Sequence, residues 1–376
     1  MYIPQYWLNT LQDHPLVNKV VVILGPRRVG KTTLLNHLLL HEKNYLFVSG
    51  EDIDVKSYLE SQSVTKLKSF VGQHSLLVID EAQKINQIGL NLKLMIDHIP
   101  DLRIIVTGSS AFDLAQHVGE PLTGRKVTFP MFPLSQMELN NLENPAQTRA
   151  NLELRLIYGS YPEVILMSDL QSKQQYLNEL VSSYLYKDIL ELEGIRKSSH
   201  IMQLLQLLAL QLGREVSHEE LGRQLGMNRR TVERYLDLLE KAFVITNVRG
   251  FSRNLRIEVT KNSRYYFYDL GVRNAIINQF NPLALRSDIG ELWENYIVIE
   301  RLKKQAYHRI ISHNYFWRTY QQQEIDWIED RGGVLHAYEI KWRSPSRLKP
   351  PTAWDNAYPG STFTVIHQED YLDFIS

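Results

Sequence analysis

Eight consecutive residues, Gly25-Pro26-Arg27-Arg28-Val29-Gly30-Lys31-Thr32, have the spacing G-x-x-x-x-G-K-[ST]. In this P-loop pattern the glycines permit a tight backbone path, successive N–H groups turn inward, and a lysine and a hydroxyl close the ring around an anionic polyphosphate. The pattern needs a buried strand before it and a helix after it. Val20-Val21-Val22-Ile23-Leu24 precedes it and Thr33-Leu34-Leu35-Asn36-His37-Leu38 follows. Gly25, Pro26, Arg27, Arg28, Val29, Gly30, Lys31, Thr32 and Thr33 therefore form the expected nucleotide cradle. Lys31 would reach the β- and γ-phosphates and the Thr32 hydroxyl would coordinate Mg²⁺. A glycine-rich turn that binds nothing is the plain alternative, and it would not require both flanks.

A second chemical pair follows. The apolar run Leu76-Leu77-Val78-Ile79 ends in Asp80-Glu81. At the carboxyl edge of a parallel sheet, where α/β folds bind ligands, Asp80 would hold the Mg²⁺ shell as a Walker B aspartate. Glu81 would polarise the water that attacks the γ-phosphate. The elements that must place these groups are legible. Tyr45-Leu46-Phe47-Val48, the run ending at Asp80, and Leu102-Arg103-Ile104-Ile105-Val106-Thr107 are apolar stretches separated by helical ones. That alternation predicts an α/β domain with a parallel sheet covered on both faces.

The third of these strands ends Val106-Thr107-Gly108-Ser109-Ser110, a small polar cluster at the same edge. A P-loop, an Asp-Glu pair and a polar group at the next strand tip resemble an AAA-type ATPase, which implies Thr107 or Ser109 as its sensor. Leu122-Thr123-Gly124-Arg125 and Phe132-Pro133-Leu134-Ser135-Gln136-Met137-Glu138 resemble prokaryotic AAA-type ATP-binding proteins that carry a C-terminal domain of unknown function. Tyr158-Gly159-Ser160-Tyr161-Pro162-Glu163 and Tyr184-Leu185-Tyr186-Lys187-Asp188-Ile189 resemble segments of the same family, with tyrosines at helical spacing that read as packing. The resemblance covers almost the whole chain and implies an ATP hydrolase using ATP and Mg²⁺. It implies Arg125 as the γ-phosphate arginine, acting in cis or from a neighbouring subunit of a homo-oligomer. A loop arginine paired with a surface carboxylate is the other reading of Arg125.

The polar stretch Asn140-Asn141-Leu142-Glu143-Asn144-Pro145 predicts a domain boundary. Further on, Ser217 with Glu220 three residues later predicts a capping box. A short helix would end at Gly226, and Asn228 would cap a second helix with Val232, Tyr235, Leu236 and Leu239 on one face. This is a helix-turn-helix, and the apolar Phe243-Val244-Ile245 run suggests a winged version. Arg229, Arg230 and Arg234 crowd the start of the second helix, and residues 196–273 hold fourteen Lys/Arg against eight Asp/Glu. That pattern fits DNA or RNA phosphates. A lid or docking surface is the competing reading.

In the last segment, Gly290–Glu300 reads as an amphipathic helix carrying acidic residues. Glu324-Ile325-Asp326-Trp327-Ile328 and Leu335-His336-Ala337-Tyr338-Glu339-Ile340-Lys341-Trp342 read as strands joined by a hairpin turn at Asp330-Arg331-Gly332-Gly333. With Arg331-Gly332 as turn residues Asp326 pairs with Ala337; with Gly332-Gly333 it pairs with Glu339. Both registers put Asp326, Glu339 and Lys341 on one face, and a three-residue loop would not. An Asp followed by Glu-x-Lys on the next strand, with Glu294 on a preceding helix, resembles the PD-(D/E)xK nuclease fold, although Ile325 stands where that pattern has proline. The resemblance implies that Glu294, Asp326 and Glu339 hold metal while Lys341 orients water or stabilises phosphorane charge. A domain that kept this fold and lost the activity is the alternative.

Composition bounds the rest. The 376 residues hold 42 Lys+Arg and 42 Asp+Glu, so no global field recruits nucleic acid. There is no cysteine, which excludes disulfides, thiol catalysis and thiolate metal sites. Met1-Tyr2-Ile3-Pro4-Gln5 lacks the features of a secretion signal, and the chain reads as a cytoplasmic protein without a membrane partner. The expected order is an AAA-type ATPase domain at 1–140, a helical and winged-helix region at 141–280, and a restriction-endonuclease-like α/β domain at 281–376.

Overall fold

The computed structural model describes residues 2–13, 18–109, 122–185, 198–252, 263–344 and 349–376. Ser110 and the stretch Tyr186-Lys187-Asp188-Ile189, quoted above, lie outside the described residues. Two compact units divide the chain: Met1–Phe132 with Lys241–Phe243, and Pro133–Glu240 with Val244–Ser376.

The first unit is built on five parallel strands, β1 (Val20–Leu24), β2 (Tyr45–Ser49), β3 (Leu76–Asp80), β4 (Arg103–Gly108) and β5 (Lys126–Pro130), in the order β2-β3-β4-β1-β5. β3 is buried at every position, the pattern of a strand covered on both faces. Val20, Val22, Leu77, Ile79, Ile104 and Val106 share one core cluster with Val55 and Leu59 of helix Ile53–Leu59, Leu67 and Val71 of helix Val64–Val71, and Leu92 and Met95 of helix Ile88–His98. Burying each such aliphatic side chain contributes about 1.5–3 kcal/mol, which makes this layer the support of the sheet edge above it. Asp52 and Ser63 start two of those helices by accepting from backbone N–H groups inside the first turn.

The second unit carries seven strands, β6 (Glu215–Val216), β7 (Ile245–Gly250), β8 (Ser263–Phe267), β9 (His313–Arg318), β10 (Glu324–Arg331), β11 (Val334–Ile340) and β12 (Thr362–Ile366). Their order is β12-β11-β10-β9-β7-β8-β6. Strands from both sides of residue 280, where a domain boundary was expected, share this sheet, because β7 pairs in parallel with β9 at Arg249↔Tyr315. Helix His218–Leu225 ends at Gly226 with φ 64°, and helix Arg229–Lys241 follows after Met227 and Asn228. The Ser217 side chain accepts from Glu220 N–H, one half of the predicted capping box. Gly159 takes φ 72° and an added Cβ would meet Asp269 Oδ1 at 2.1 Å, while Asp269 accepts from Ser160 N–H at 2.7 Å. The tyrosine-rich segment around Gly159 is thus a braced turn.

Two buried polar clamps fix the helix Ile289–Tyr307 on the sheet. The Asn295 amide pairs with both backbone groups of Phe267, donating to its carbonyl at 2.9 Å and accepting from its N–H at 2.8 Å. Arg301 holds Glu329 through Nε at 2.7 Å and Nη2 at 3.1 Å, a bidentate pair that pins the helix to β10. Removing one partner of such a buried pair costs about 3–5 kcal/mol.

Candidate nucleotide site and a second polar cleft

The P-loop leaves β1 and enters helix Lys31–Leu39 through Gly30, which takes φ 97°. Gly25 lies so close to Met131 that an added Cβ would meet its carbonyl oxygen at 2.2 Å. Arg28 adopts φ 66° and is exposed, Val29 is buried, and Thr32 and Thr33 are exposed at the loop mouth. Lys31 is buried, and its Nζ donates to the carbonyls of Gly25 and Pro26 at 2.8 Å each. The amine is therefore folded over the cradle.

Strand register brings the second group of residues to the same edge. Ile79 pairs with Val106 and Ile23 with Thr107, so Asp80, Thr107 and the start of the P-loop end side by side. Thr32 Oγ1 donates to Asp80 Oδ2 at 2.7 Å, and Thr107 Oγ1 donates to Asp80 Oδ1. Thr107 Oγ1 also accepts from Glu81 N–H at 3.0 Å. Glu81 sits in the left-handed region at φ 54°, and its Oε2 accepts from Gln83 Nε2 at 2.5 Å. Gln83 Nε2 donates in addition to Ser109 Oγ at 3.1 Å. Thr32 Oγ1 and the Asp80 carboxylate are the oxygen ligands available to Mg²⁺ here, which suits an ion that takes few protein ligands and completes its shell from phosphates and water.

Two contributors carried no sequence signal. Gln5 Nε2 donates to the carbonyls of Val29 and Gly30 at 3.0 and 3.1 Å, bracing the loop from below. Gln83 stands two residues past Glu81 in the run Asp-Glu-Ala-Gln, and only the turn Ala82–Lys84 carries its amide back to Glu81.

Arg125 is not brought to this site. It immediately precedes β5, whose Lys126 is paired with Val20, and its carbonyl accepts from Val20 N–H at 2.7 Å. The P-loop begins at the other end of β1, about 16 Å away for five residues of strand. The Arg125 guanidinium pairs with Asp97 at 3.0 Å on the exposed surface. This placement speaks against a role in cis, because the arginine lies at the amino edge of the sheet and the phosphates belong at the carboxyl edge.

In the second unit, Arg331 pairs with Val334 and Trp327 with Tyr338, so Gly332 and Gly333 are the turn residues, both at positive φ. Continuing that register sets Asp326 opposite Glu339. Lys341 Nζ lies 2.6 Å from Glu339 Oε1 and 3.6 Å from Asp326 Oδ2. Asp326 also accepts from Ile340 N–H at 2.9 Å. β10 pairs Ile325 with Trp317 but Ile328 with Tyr315, a bulge that inserts one residue beside Asp326. Glu294, from the clamped helix, accepts from Tyr266 OH at 2.7 Å.

Glu294, Asp326 and Lys341 border a cleft of about 560 Å³, lined among others by Arg214, Glu291, Arg318 and Trp342. Burial first, then the neighbouring Asp326 charge, pushes the Glu294 carboxyl up to about 8 and the Glu339 carboxyl to about 7. Burial raises Asp326 as well, against the pull of Lys341. Burial works against the Lys341 ammonium too, yet Asp326 and Glu339 outweigh it and raise its pKa.

The metal centre expected at Glu294, Asp326 and Glu339 is not assembled as a ligand set. Among the described residues no three Asp, Glu or His side chains are arranged to hold a metal ion. The guanidinium of Arg264 stands among the carboxylates instead, 3.5 Å from Glu294, 3.8 Å from Asp326 and 3.0 Å from Glu324.

Of the three arginines at the second short helix, Arg229 is engaged, with Glu219 at 2.6 Å and Glu233 at 2.7 Å. Arg230 and Arg234 are exposed, and Arg234 lies over the Tyr235 ring at 5.7 Å. No helix among the described residues is long and apolar enough to cross a membrane.

Comparison with known proteins adds three family matches. Residues 17–140 match an AAA domain, residues 149–283 a domain of unknown function (DUF8612), and residues 289–371 a second such domain (DUF4143). An uncharacterized protein of Mycobacterium tuberculosis is 26% identical over 326 residues, covering 86% of this chain and 70% of that one. An uncharacterized protein of Methanocaldococcus jannaschii is 23% identical over 353 residues, covering 88% and 77%. Among solved structures, the Walker-type ATPase paby2304 of Pyrococcus abyssi aligns with a TM-score of 0.47 and 17% identity, over 72% of this chain and 93% of that one. With the P-loop, Asp80 and Glu81 gathered at one sheet edge, the match over residues 17–140 supports an AAA-type P-loop ATPase domain in the first unit.

Proposed function

We propose that the first unit binds ATP with Mg²⁺ and hydrolyses it, and that the second unit is the body through which this cycle acts. The observation that carries the reading is one bonded run at a single sheet edge: Thr32 to Asp80, Asp80 to Thr107, and Thr107 to the backbone of Glu81. It ties the loop that would hold phosphates to the carboxylate that would act on water. Lys31 would exchange its two loop carbonyls for phosphate oxygens. Bound Mg²⁺ supplies neutralisation of phosphate charge, with Thr32 and Asp80 as its protein ligands. Glu81 would orient the attacking water and take its proton.

The test uses paired variants. Lys31→Ala should lose the ATP-dependent rise in melting temperature, which at a hundredfold excess over Kd corresponds to about 2.7 kcal/mol in the wild type. Glu81→Gln should keep that rise and lose phosphate release by about 10²–10⁴-fold. Equal melting shifts in Lys31→Ala and wild type would sink the assignment.

For the second unit, the helix pair His218–Leu225 and Arg229–Lys241 with β7 and β8 supports a winged-helix reading that takes nucleic-acid phosphates through Arg230 and Arg234. The closeness of Lys341 to Glu339 and Asp326 supports reading the C-terminal strands by the PD-(D/E)xK resemblance, with Glu294 from the preceding helix as its further acidic group. With Arg264 among the carboxylates, that part is read as a binding body with no metal-dependent cutting.

A further inference from the structure

We infer that Arg264 is a built-in counter-cation that closes the cleft lined by Glu294 and Asp326 to divalent metal, and that removing its charge opens a metal site there. The inference concerns the second unit alone and does not depend on ATP hydrolysis.

The carboxylates of the cluster already have cations. Arg264 serves Glu294, Asp326 and Glu324, and Lys341 serves Asp326 and Glu339. A divalent ion entering between Glu294 and Asp326 would have to approach a guanidinium that both of them contact, and like charges at that separation repel strongly in a poorly solvated site. Arg264 cannot step aside easily. It lies on β8, an inner strand, paired with Glu215 on one side and Val248 on the other. Its side chain is 5% exposed, and the guanidinium carbon sits 4.5 Å over the Phe316 ring. Burial opposes its charge, but Tyr266, Glu294, Asp326 and Glu324 together raise its pKa, so it stays protonated. Without that charge, Glu294 would lose its cation and Asp326 would keep Lys341 alone, an under-compensated buried pair into which a cation is drawn.

The experiment is a titration of Mn²⁺ into the nucleotide-free full chain, reading free Mn²⁺ by electron paramagnetic resonance. Comparison with Asp326→Asn isolates the cleft from any ion held by Thr32 and Asp80. Wild type and Asp326→Asn should bind Mn²⁺ alike. Arg264→Ser should gain a site at least about tenfold tighter than any shared by those two, and Arg264→Ser with Asp326→Asn should lose it. Arg264→Lys, which keeps the charge, should gain none. A wild-type Mn²⁺ site that disappears in Asp326→Asn overturns the inference, as does a folded Arg264→Ser, judged by its melting curve, that gains no site. If Arg264→Ser does not fold, the wild-type and Asp326→Asn comparison decides alone.

Discussion

Gln83 Nε2 donates to Glu81 Oε2 at 2.5 Å and to Ser109 Oγ at 3.1 Å, so the carboxylate beside the P-loop is tied by one amide to the tip of the next strand. The amide is buried, and among the described residues its oxygen has no hydrogen-bond partner. Its orientation is set by Glu81, because turning it over would face oxygen to carboxylate.

Gln83 therefore acts as a positioning residue for Glu81. Gln83→Ala should lower kcat for ATP by about 10–100-fold while leaving KM near the wild-type value, since it frees the carboxylate without touching the phosphate cradle. Steady-state kinetics with melting curves taken alongside would test this. A rise in KM at constant kcat would assign Gln83 to the cradle instead.

Arg125 and Asp97 form an exposed pair at the far edge of the sheet, a class of contact worth about 0–1 kcal/mol. Arg125→Ala should change turnover by less than about twofold and shift the melting temperature little. Turnover that falls with Arg125→Ala and depends on protein concentration would instead place the arginine at a neighbouring subunit's phosphates.

The pH dependence of stability follows from the cleft. Glu294 and Glu339 titrate near 8 and 7 in the folded chain, raised from the ordinary 4.5 chiefly by burial. Between those values the folded state binds more protons than the unfolded one, so this contribution is complete at acid pH and is lost as pH rises through 7 and 8. The melting temperature of the ligand-free protein should fall as the buffer goes from about pH 6 to about pH 8.5, and Glu294→Gln should flatten part of that fall. A melting temperature that climbs over the interval would contradict the burial argument.

Arg230 and Arg234 are exposed on the helix Arg229–Lys241, where phosphate contacts are proposed for them. Replacing both with Glu should weaken duplex binding and reduce the salt slope by about two counterions, whereas Arg229→Glu should matter less because Glu219 and Glu233 already hold that guanidinium. If the wild type binds no duplex or single strand in a salt-sensitive way, the docking reading replaces the nucleic-acid one.

Much of the first unit was legible in the chain. The runs Val20–Leu24, Leu76–Ile79 and Leu102–Thr107 are apolar because both faces of a parallel strand are covered, and a P-loop is read from local spacing because its backbone path is local. The hairpin through Gly332 and Gly333 was legible for the same reason, since period-two alternation puts Asp326, Glu339 and Lys341 on one face once the turn is short. What the tertiary structure decided is long-range. Gln5 meets the loop across 24 positions, and Gln83 reaches Ser109 across 26, pairings that no periodicity encodes. Arg125 fell at the wrong edge because strand order and register, not sequence distance from the P-loop, fix which end of β1 it meets. The pattern of acidic residues likewise suggested metal, and only the pairing of β8 between β6 and β7, with Glu294 delivered by the helix Asn295 clamps, puts the Arg264 guanidinium among them. Charge compensation in a buried cluster is a property of the fold, because the compensating residue need only be near in space.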